Sequence, residues 1–200
     1  AAVSNVTMIS TERVIDTPLT ESMIIGTSIG AAVNGLRPIA EIQFADFIHP
    51  AFNQLVSEAA RMRYRSNNGY SVPMTVRAPY GGGVHGALYH SQSNEGYFTA
   101  TVGLKIVAPG TPADAKGLLK AAIRDDDPVI FFEHKYLYRR AKGPVPEEDA
   151  IVPIGEAAIR REGTDITLLT YGAMVQPSLD AAERLSDEGV EVEVIDLRTL

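Results

Sequence analysis

The sequence predicts an α/β fold: a parallel sheet with helices on both faces, followed by the start of a second α/β domain. Three observations predict it. Short apolar runs at residues 39–43, 73–76, 105–108 and 129–133 have the length of buried strands. Helical spacing lies between them, as in Phe52, Leu55, Val56, Ala59 and Ala60, which recur at i, i+3, i+4, i+7 and i+8. The two patterns alternate, and strand-helix-strand crossovers imply parallel strands with helices packed on the sheet.

Residues 1–12 show no clear period and stay unassigned. Residues 13–16 read as a short strand stopped at Thr17-Pro18, because proline cannot donate to a ladder. A helix follows from about Glu21 to Val33, ended by Asn34-Gly35, a good left-handed cap. Gly26 and Gly30 inside it each disfavour the helix by about 1 kcal/mol, which suggests close approach by another backbone. After the strand at 39–43, residues 44–49 connect to a helix with Pro50 in its first turn and Ser66-Asn-Asn-Gly69 at its end. Residues 94–100 read as a short helix. Thr111-Pro-Ala-Asp114 then supplies an N-cap hydroxyl, a first-turn proline and an acid, opening a helix to about Arg124.

Residues 135–148 carry two prolines and mixed charges and read as a surface crossing. Beyond them lie a strand at 166–171, a helix at 175–187 closed by Gly189, and a strand at 190–195. One such unit is too small to stand alone, so a second domain is begun and not finished, and a fragment is expected. The expected division is a first domain at 1–134, a linker at 135–160 and a second domain at 161–200.

Composition narrows the function. A net charge of −7 argues against a nucleic-acid surface. Arg61, Arg63 and Arg65, the densest basic cluster, read as a solvated helix end or a subunit contact. No cysteine is present, which fits a reducing compartment and removes thiolate metal sites. No apolar run reaches the ~18 residues of a membrane span. A soluble intracellular α/β protein is expected.

The chemistry is concentrated in Arg77-Ala-Pro-Tyr-Gly-Gly-Gly-Val-His-Gly-Ala-Leu-Tyr-His-Ser-Gln-Ser93. Three glycines at a strand's carboxyl end let the backbone turn or approach a ligand, and His85 and His90 follow at once. Gly81, Gly83 and Gly86 satisfy G-x-G-x-x-G, but no helix pattern opens at the third glycine and no acid ends the next strand, which argues against a dinucleotide site. Zinc on His85 and His90 lacks a full ligand set. Ser91 lies outside any G-x-S-x-G elbow, which argues against a hydrolase.

This stretch resembles the β subunit of the branched-chain 2-oxo acid dehydrogenase family, the thiamine-diphosphate-dependent decarboxylating component of a multienzyme complex. The resemblance continues in order through Arg13-Val-Ile-Asp-Thr-Pro-Leu-Thr-Glu21, Ala40-Glu-Ile-Gln-Phe-Ala-Asp-Phe-Ile48 and Arg61-Met-Arg-Tyr-Arg-Ser66, then Asp114-Ala-Lys-Gly-Leu-Leu-Lys120 and Val129-Ile-Phe-Phe-Glu-His-Lys135. It implies a pyrimidine-type thiamine-diphosphate-binding domain of transketolase-like kind at 1–134 and the opening of the carboxyl-terminal domain at 161–200.

The resemblance implies roles that position alone does not give. Glu21, otherwise an acid suited to a helix dipole, would hydrogen-bond the aminopyrimidine ring and promote the tautomer that removes the thiazolium proton. Leu19, Gln43 and Phe47 would share that pocket, Phe47 standing where a tyrosine is common. His90 would assist acyl transfer to a lipoyl group. Magnesium and the diphosphate would sit on the α subunit, since no Gly-Asp-Gly…Asn segment is present. A structural potassium ion found in some β subunits would lie at residues 122–127, near Val72, Met74, Ala122, Asp125 and Asp127. The implied partners are an α subunit, in an α2β2 heterotetramer, and a lipoyl-bearing acyltransferase. The implied location is cytoplasmic, or the mitochondrial matrix in a eukaryote. A pyruvate dehydrogenase β subunit and a catalytically silent scaffold of the same fold are the alternatives.

Overall fold

The structure, a computed structural model, describes residues 11–200; residues 1–10 of the unassigned stretch 1–12 lie outside the described residues. Its first sheet is built from β1 (Ile39–Glu41), β2 (Thr75–Tyr80), β3 (Lys105–Val107) and β4 (Val129–His134), all parallel, in the order β1-β2-β4-β3. The apolar runs of β2 and β4 become the central strands, covered on both faces, while β1 and β3 form the edges. Along β4, Ile130 and Phe132 enter one core and Val129 and Phe131 the other. Helix α1 (Glu21–Val33) and the helical segment from His49 to Arg65 pack on the first face, and α3 (Pro112–Arg124) on the second.

The caps act as the sequence predicts. Asn34 closes α1 and Gly35 follows at φ +91°. The Thr111 hydroxyl accepts the Asp114 backbone N–H and donates to its carboxylate at 2.6 Å. Asn67 and Asn68 both turn left-handed, at φ +51° and +63°, where asparagine is tolerated. The helix from Pro50 is less regular than its spacing implies. It passes through a π-helical stretch, Gln54–Ala59, before the short α2 (Met62–Arg65). At its end Arg63 bonds Asp127, 2.6 Å, and the Asp126 carbonyl, while Arg65 pairs with Glu58.

Gly103 lies against this helix. Its φ is +98°, and an added Cβ would run into the Ala60 carbonyl oxygen. Gly103→Ala is therefore expected to destabilise the protein by about 2 kcal/mol, a fall of roughly 4–8 °C in thermal midpoint. An unchanged midpoint would mean that the turn simply moves aside.

Three expectations need correction. Residues 13–16 form no strand: Thr11–Arg13 is a 3-10 turn, and Val14 and Ile15 are 60% and 79% exposed with no strand paired to them among the described residues. Gly26 and Gly30 face outward with nothing within 4 Å, so no backbone among the described residues approaches them. Residues 94–100 give only a 3-10 turn, Glu95–Tyr97.

The crossing segment also differs. Lys135, read as surface, is buried, and Val152 and Ile154 pack on the α3 core. An unforeseen strand, β5 (Ala158–Arg161), joins β6 (Ile166–Thr170) and β7 (Val192–Asp196) in the order β5-β7-β6, with β6 and β7 parallel and β5 antiparallel. Helix α4 (Val175–Ser186) covers one face through Leu179, Ala182 and Leu185.

The two sheets are joined by specific contacts. Arg160 bonds both Asp114 and Asp196, and Arg198 reaches Asp114 at 3.2 Å. Thr199 bridges Val107 antiparallel to β3, the Arg198 carbonyl accepts the Ala108 N–H, and Leu200 donates to the Ile106 carbonyl. Tyr171 donates its hydroxyl to Glu95 at 2.8 Å, and burial with that carboxylate pushes its pKa up to about 12.

Candidate functional site

The site lies beyond the carboxyl ends of β1, β2 and β4, where parallel sheets expose their loops. From β1 the chain turns through Gln43 and Phe44 into a 3-10 turn, Ala45–Phe47. From β2 it enters the glycine loop. From β4 it continues through His134 and Lys135.

The three glycines serve distinct contacts. Gly81, at φ +83°, lies under the His134 ring, and Gly83, also at +83°, lies against Tyr136. A methyl group on either would displace an aromatic ring. Past them, His85 and Ala87 take φ of +58° and +54°, uncommon for residues with a side chain. Strain of this kind persists where the surroundings impose it, and it gathers at functional loops. Leu88–His90 then forms a single 3-10 turn, with no helix at Gly86.

His90 stands edge-on to two rings, 4.6 Å from Phe44 and 5.6 Å from Phe47 between centroids. This brings together Phe47 and His90, two residues singled out in the sequence. His85 is exposed on the far part of the loop. Glu21 is the first residue of α1, partly exposed, with no side-chain hydrogen bond or ion pair among the described residues. Leu19 is 80% exposed, and Gln43 is exposed as well. Helix α1 packs on the His49–Ala51 turn, directly after Phe47. The structure thus makes one contact among the five site residues and leaves Glu21, Leu19 and Gln43 free of side-chain partners within the described residues.

Sequence reasoning missed the support behind His90. Asp46 is buried; its Oδ1 accepts the backbone N–H of Ser91 and of Gln92, each at 3.3 Å, and its Oδ2 has no partner. Lys135 is buried with its ammonium unpartnered, 5.1 Å above the centre of the Phe44 ring. Burial pushes the Lys135 pKa down, and the nearby Asp46 carboxylate pulls it back up. Burial also lowers the pKa of His134, helped by the Lys135 charge. Asp46 falls inside the Ala40–Ile48 segment that carries the resemblance, but its position alone reads only as part of a connection. The signal for Lys135 was its place directly after an apolar strand.

The residues fit the pyrimidine end of thiamine diphosphate in donor chemistry. A carboxyl without an internal partner, exposed apolar Leu19 and half-open aromatic Phe47 suit a flat heteroaromatic ring. Two surface clefts lie away from this cluster, one beside α4 and one beside α2. The 122–127 loop, where the resemblance implies potassium, is held within the chain by two basic side chains. Lys105 places its ammonium 2.7 and 2.8 Å from the Asp125 oxygens and 3.3 Å from Asp127, while Arg37 occupies the Asp125 carbonyl. Among the described residues no group of three or more His, Asp or Glu is arranged to hold a metal. No helix there is long and apolar enough to cross a membrane.

The parallel sheet with a loop cluster at its carboxyl edge places the chain in a known class, and the chain belongs to the transketolase pyrimidine-binding family: that domain matches residues 3–141 and the transketolase C-terminal domain residues 155–200. Among curated relatives it is 65% identical, over 94% of its length, to the 2-oxoisovalerate dehydrogenase subunit beta of Bacillus subtilis, of which it spans 58%. It is 50% identical, with the same coverage, to the pyruvate dehydrogenase E1 component subunit beta of that organism. Among solved structures, a split-gene transketolase described as an inactive beta4 tetramer matches with a TM-score of 0.73 at 22% identity, covering 90% of this chain and 55% of that one. A Pichia stipitis transketolase mutant matches at 0.66 and 17%, covering 90% and 26%. The predicted fold class and family resemblance both hold.

Proposed function

We propose that this chain belongs to the β subunit of a branched-chain 2-oxo acid dehydrogenase component, which decarboxylates its substrate and passes the acyl group to a lipoyl domain. The observation that carries the reading is the gap between 65% and 50% identity toward the two Bacillus subtilis subunits. Bound thiamine diphosphate supplies the carbon nucleophile and electron sink. Glu21 holds a ring nitrogen by a hydrogen bond and exchanges a proton there, a role open to a carboxyl at the edge of solvent. Leu19 and Phe47 flank the ring, Gln43 offers an amide to its polar rim, and His90 carries a proton during acyl transfer.

The diphosphate and its magnesium are held by an α subunit in an α2β2 assembly, and a lipoyl-bearing acyltransferase receives the product. The first domain spans 1–134, and the second opens near 161. Decarboxylation rates of the full-length β chain assembled with its α subunit decide the substrate. Faster turnover of 3-methyl-2-oxobutanoate than of pyruvate is expected, and the reverse order makes it a pyruvate enzyme. No turnover with either, despite assembly and added cofactor, makes it a scaffold.

The split site has its own test. Calorimetric titration of the β chain without α subunit is expected to show no tight thiamine diphosphate binding. A tight, magnesium-dependent site on the lone chain would overturn the division.

A further inference from the structure

We propose that Asp46 is a positioning residue that fixes His90, an inference that rests on the reading of His90 given above. The geometry is specific. One carboxylate oxygen accepts two consecutive backbone N–H groups, those of Ser91 and Gln92, directly after the imidazole. Successive N–H groups turned toward one anion form a compact cradle. The same short segment supplies Phe44 and Phe47, the two rings that meet His90 edge-on. Segment 44–47 therefore holds both the ring and the backbone behind it.

Within the turn itself the His90 N–H donates to the Ala87 carbonyl at 3.5 Å and the Gln92 amide to the Leu88 carbonyl at 3.4 Å, and two further contacts lie at the loop's base. Gly81 donates to the Gln92 carbonyl at 2.8 Å, and the Asn94 amide donates to the Ala45 carbonyl at 2.6 Å. They fasten the base of the loop. Asp46 reaches the residue next to His90. Its cost is visible, because Oδ2 is buried without a hydrogen bond. A buried carboxylate needs compensation. Here that comes from two N–H groups and from the nearby Lys135 ammonium, which lies over the Phe44 ring. A group buried at such cost, beside a strained loop, points to a requirement of the site rather than of the core.

The experiment compares Asp46→Ala, Asp46→Asn and His90→Ala in the full-length β chain assembled with its α subunit. Amide hydrogen exchange at Ser91 and Gln92 is the readout independent of activity. Asp46→Ala is expected to speed both amides by about tenfold, the loss of ordinary hydrogen bonding. Asp46→Asn keeps an acceptor oxygen and is expected to restore slow exchange. Lipoyl-domain acylation should fall by about 10²-fold in Asp46→Ala, and adding that change to His90→Ala should cost no more than about twofold beyond His90→Ala alone.

Unchanged exchange in Asp46→Ala, or losses that multiply in the double variant, would overturn the proposal. Should Asp46→Ala fail to assemble, Asp46→Ser, polar but too short to reach the loop, carries the same comparison. If His90→Ala itself leaves acylation intact, the reading of His90 fails. The exchange data still report separately whether Asp46 holds the loop.

Discussion

Glu21→Gln in the assembled enzyme is expected to lose 2-oxo acid decarboxylation by about 10²-fold or more, with its thermal unfolding unchanged. The argument is local. Glu21 opens α1 and makes no side-chain bond among the described residues, so the amide disturbs nothing that holds the helix. Its charge at the helix N-terminus is worth about 0.3–1 kcal/mol at most, which bounds the effect on folding. The amide keeps the size of the carboxyl but cannot exchange a proton with a ring nitrogen. Turnover and melting therefore respond differently, and the pair of measurements separates chemistry from structure. Activity within about tenfold of the parent, or roughly 1.4 kcal/mol of barrier, would reduce Glu21 to a helix-terminal charge.

His90→Ala is expected to divide the two half-reactions. On the proposed reading, decarboxylation depends on Glu21 and on substrate contacts shared with the α subunit. Acyl transfer needs in addition a proton at the dithiolane sulfur, and an imidazole suits that task near neutral pH. General acid–base assistance is worth roughly 10²–10⁴-fold, so acylation of a lipoyl domain should fall by that range. Decarboxylation with an artificial electron acceptor should fall far less. The position supports the division, since the imidazole edges between Phe44 and Phe47 and has no side-chain hydrogen bond of its own among the described residues. Equal losses in both assays would make His90 a substrate-binding or loop-ordering residue.

Local chemistry was legible where it was self-sufficient. Helix α1 runs from Glu21 to Val33 as predicted, because a proline-containing entry and Asn34-Gly35 bound it without outside help. Thr111 and Asp114 mark α3 by the same logic. What failed depended on distant partners. Val14 and Ile15 suggest a strand at residues 13–16, yet no neighbour among the described residues offers a ladder. Strand β5 exists because β7 accepts it antiparallel, and its Arg160 and Arg161 look like surface charge until Asp196 and Glu191 face them. Glu21, Phe47 and His90 were legible through motif resemblance. Asp46 and Lys135 were not, since a buried charge announces itself only when the surrounding shell is known.

The strip of chain from Leu197 to Leu200 has a consequence for self-association. Strand β3 is the last strand of its sheet, and its free side would present the unpaired backbone of Lys105, Ile106 and Val107. Such an edge templates pairing with other chains. Arg198, Thr199 and Leu200 lie along it and take up the groups of Ile106, Val107 and Ala108, while Arg198 is anchored to Asp114. The second sheet thereby acts as a guard on the first. If it detaches, the loss is more than one small core: an apolar, ready-made edge is uncovered, and the route from partial unfolding to aggregation begins at that joint.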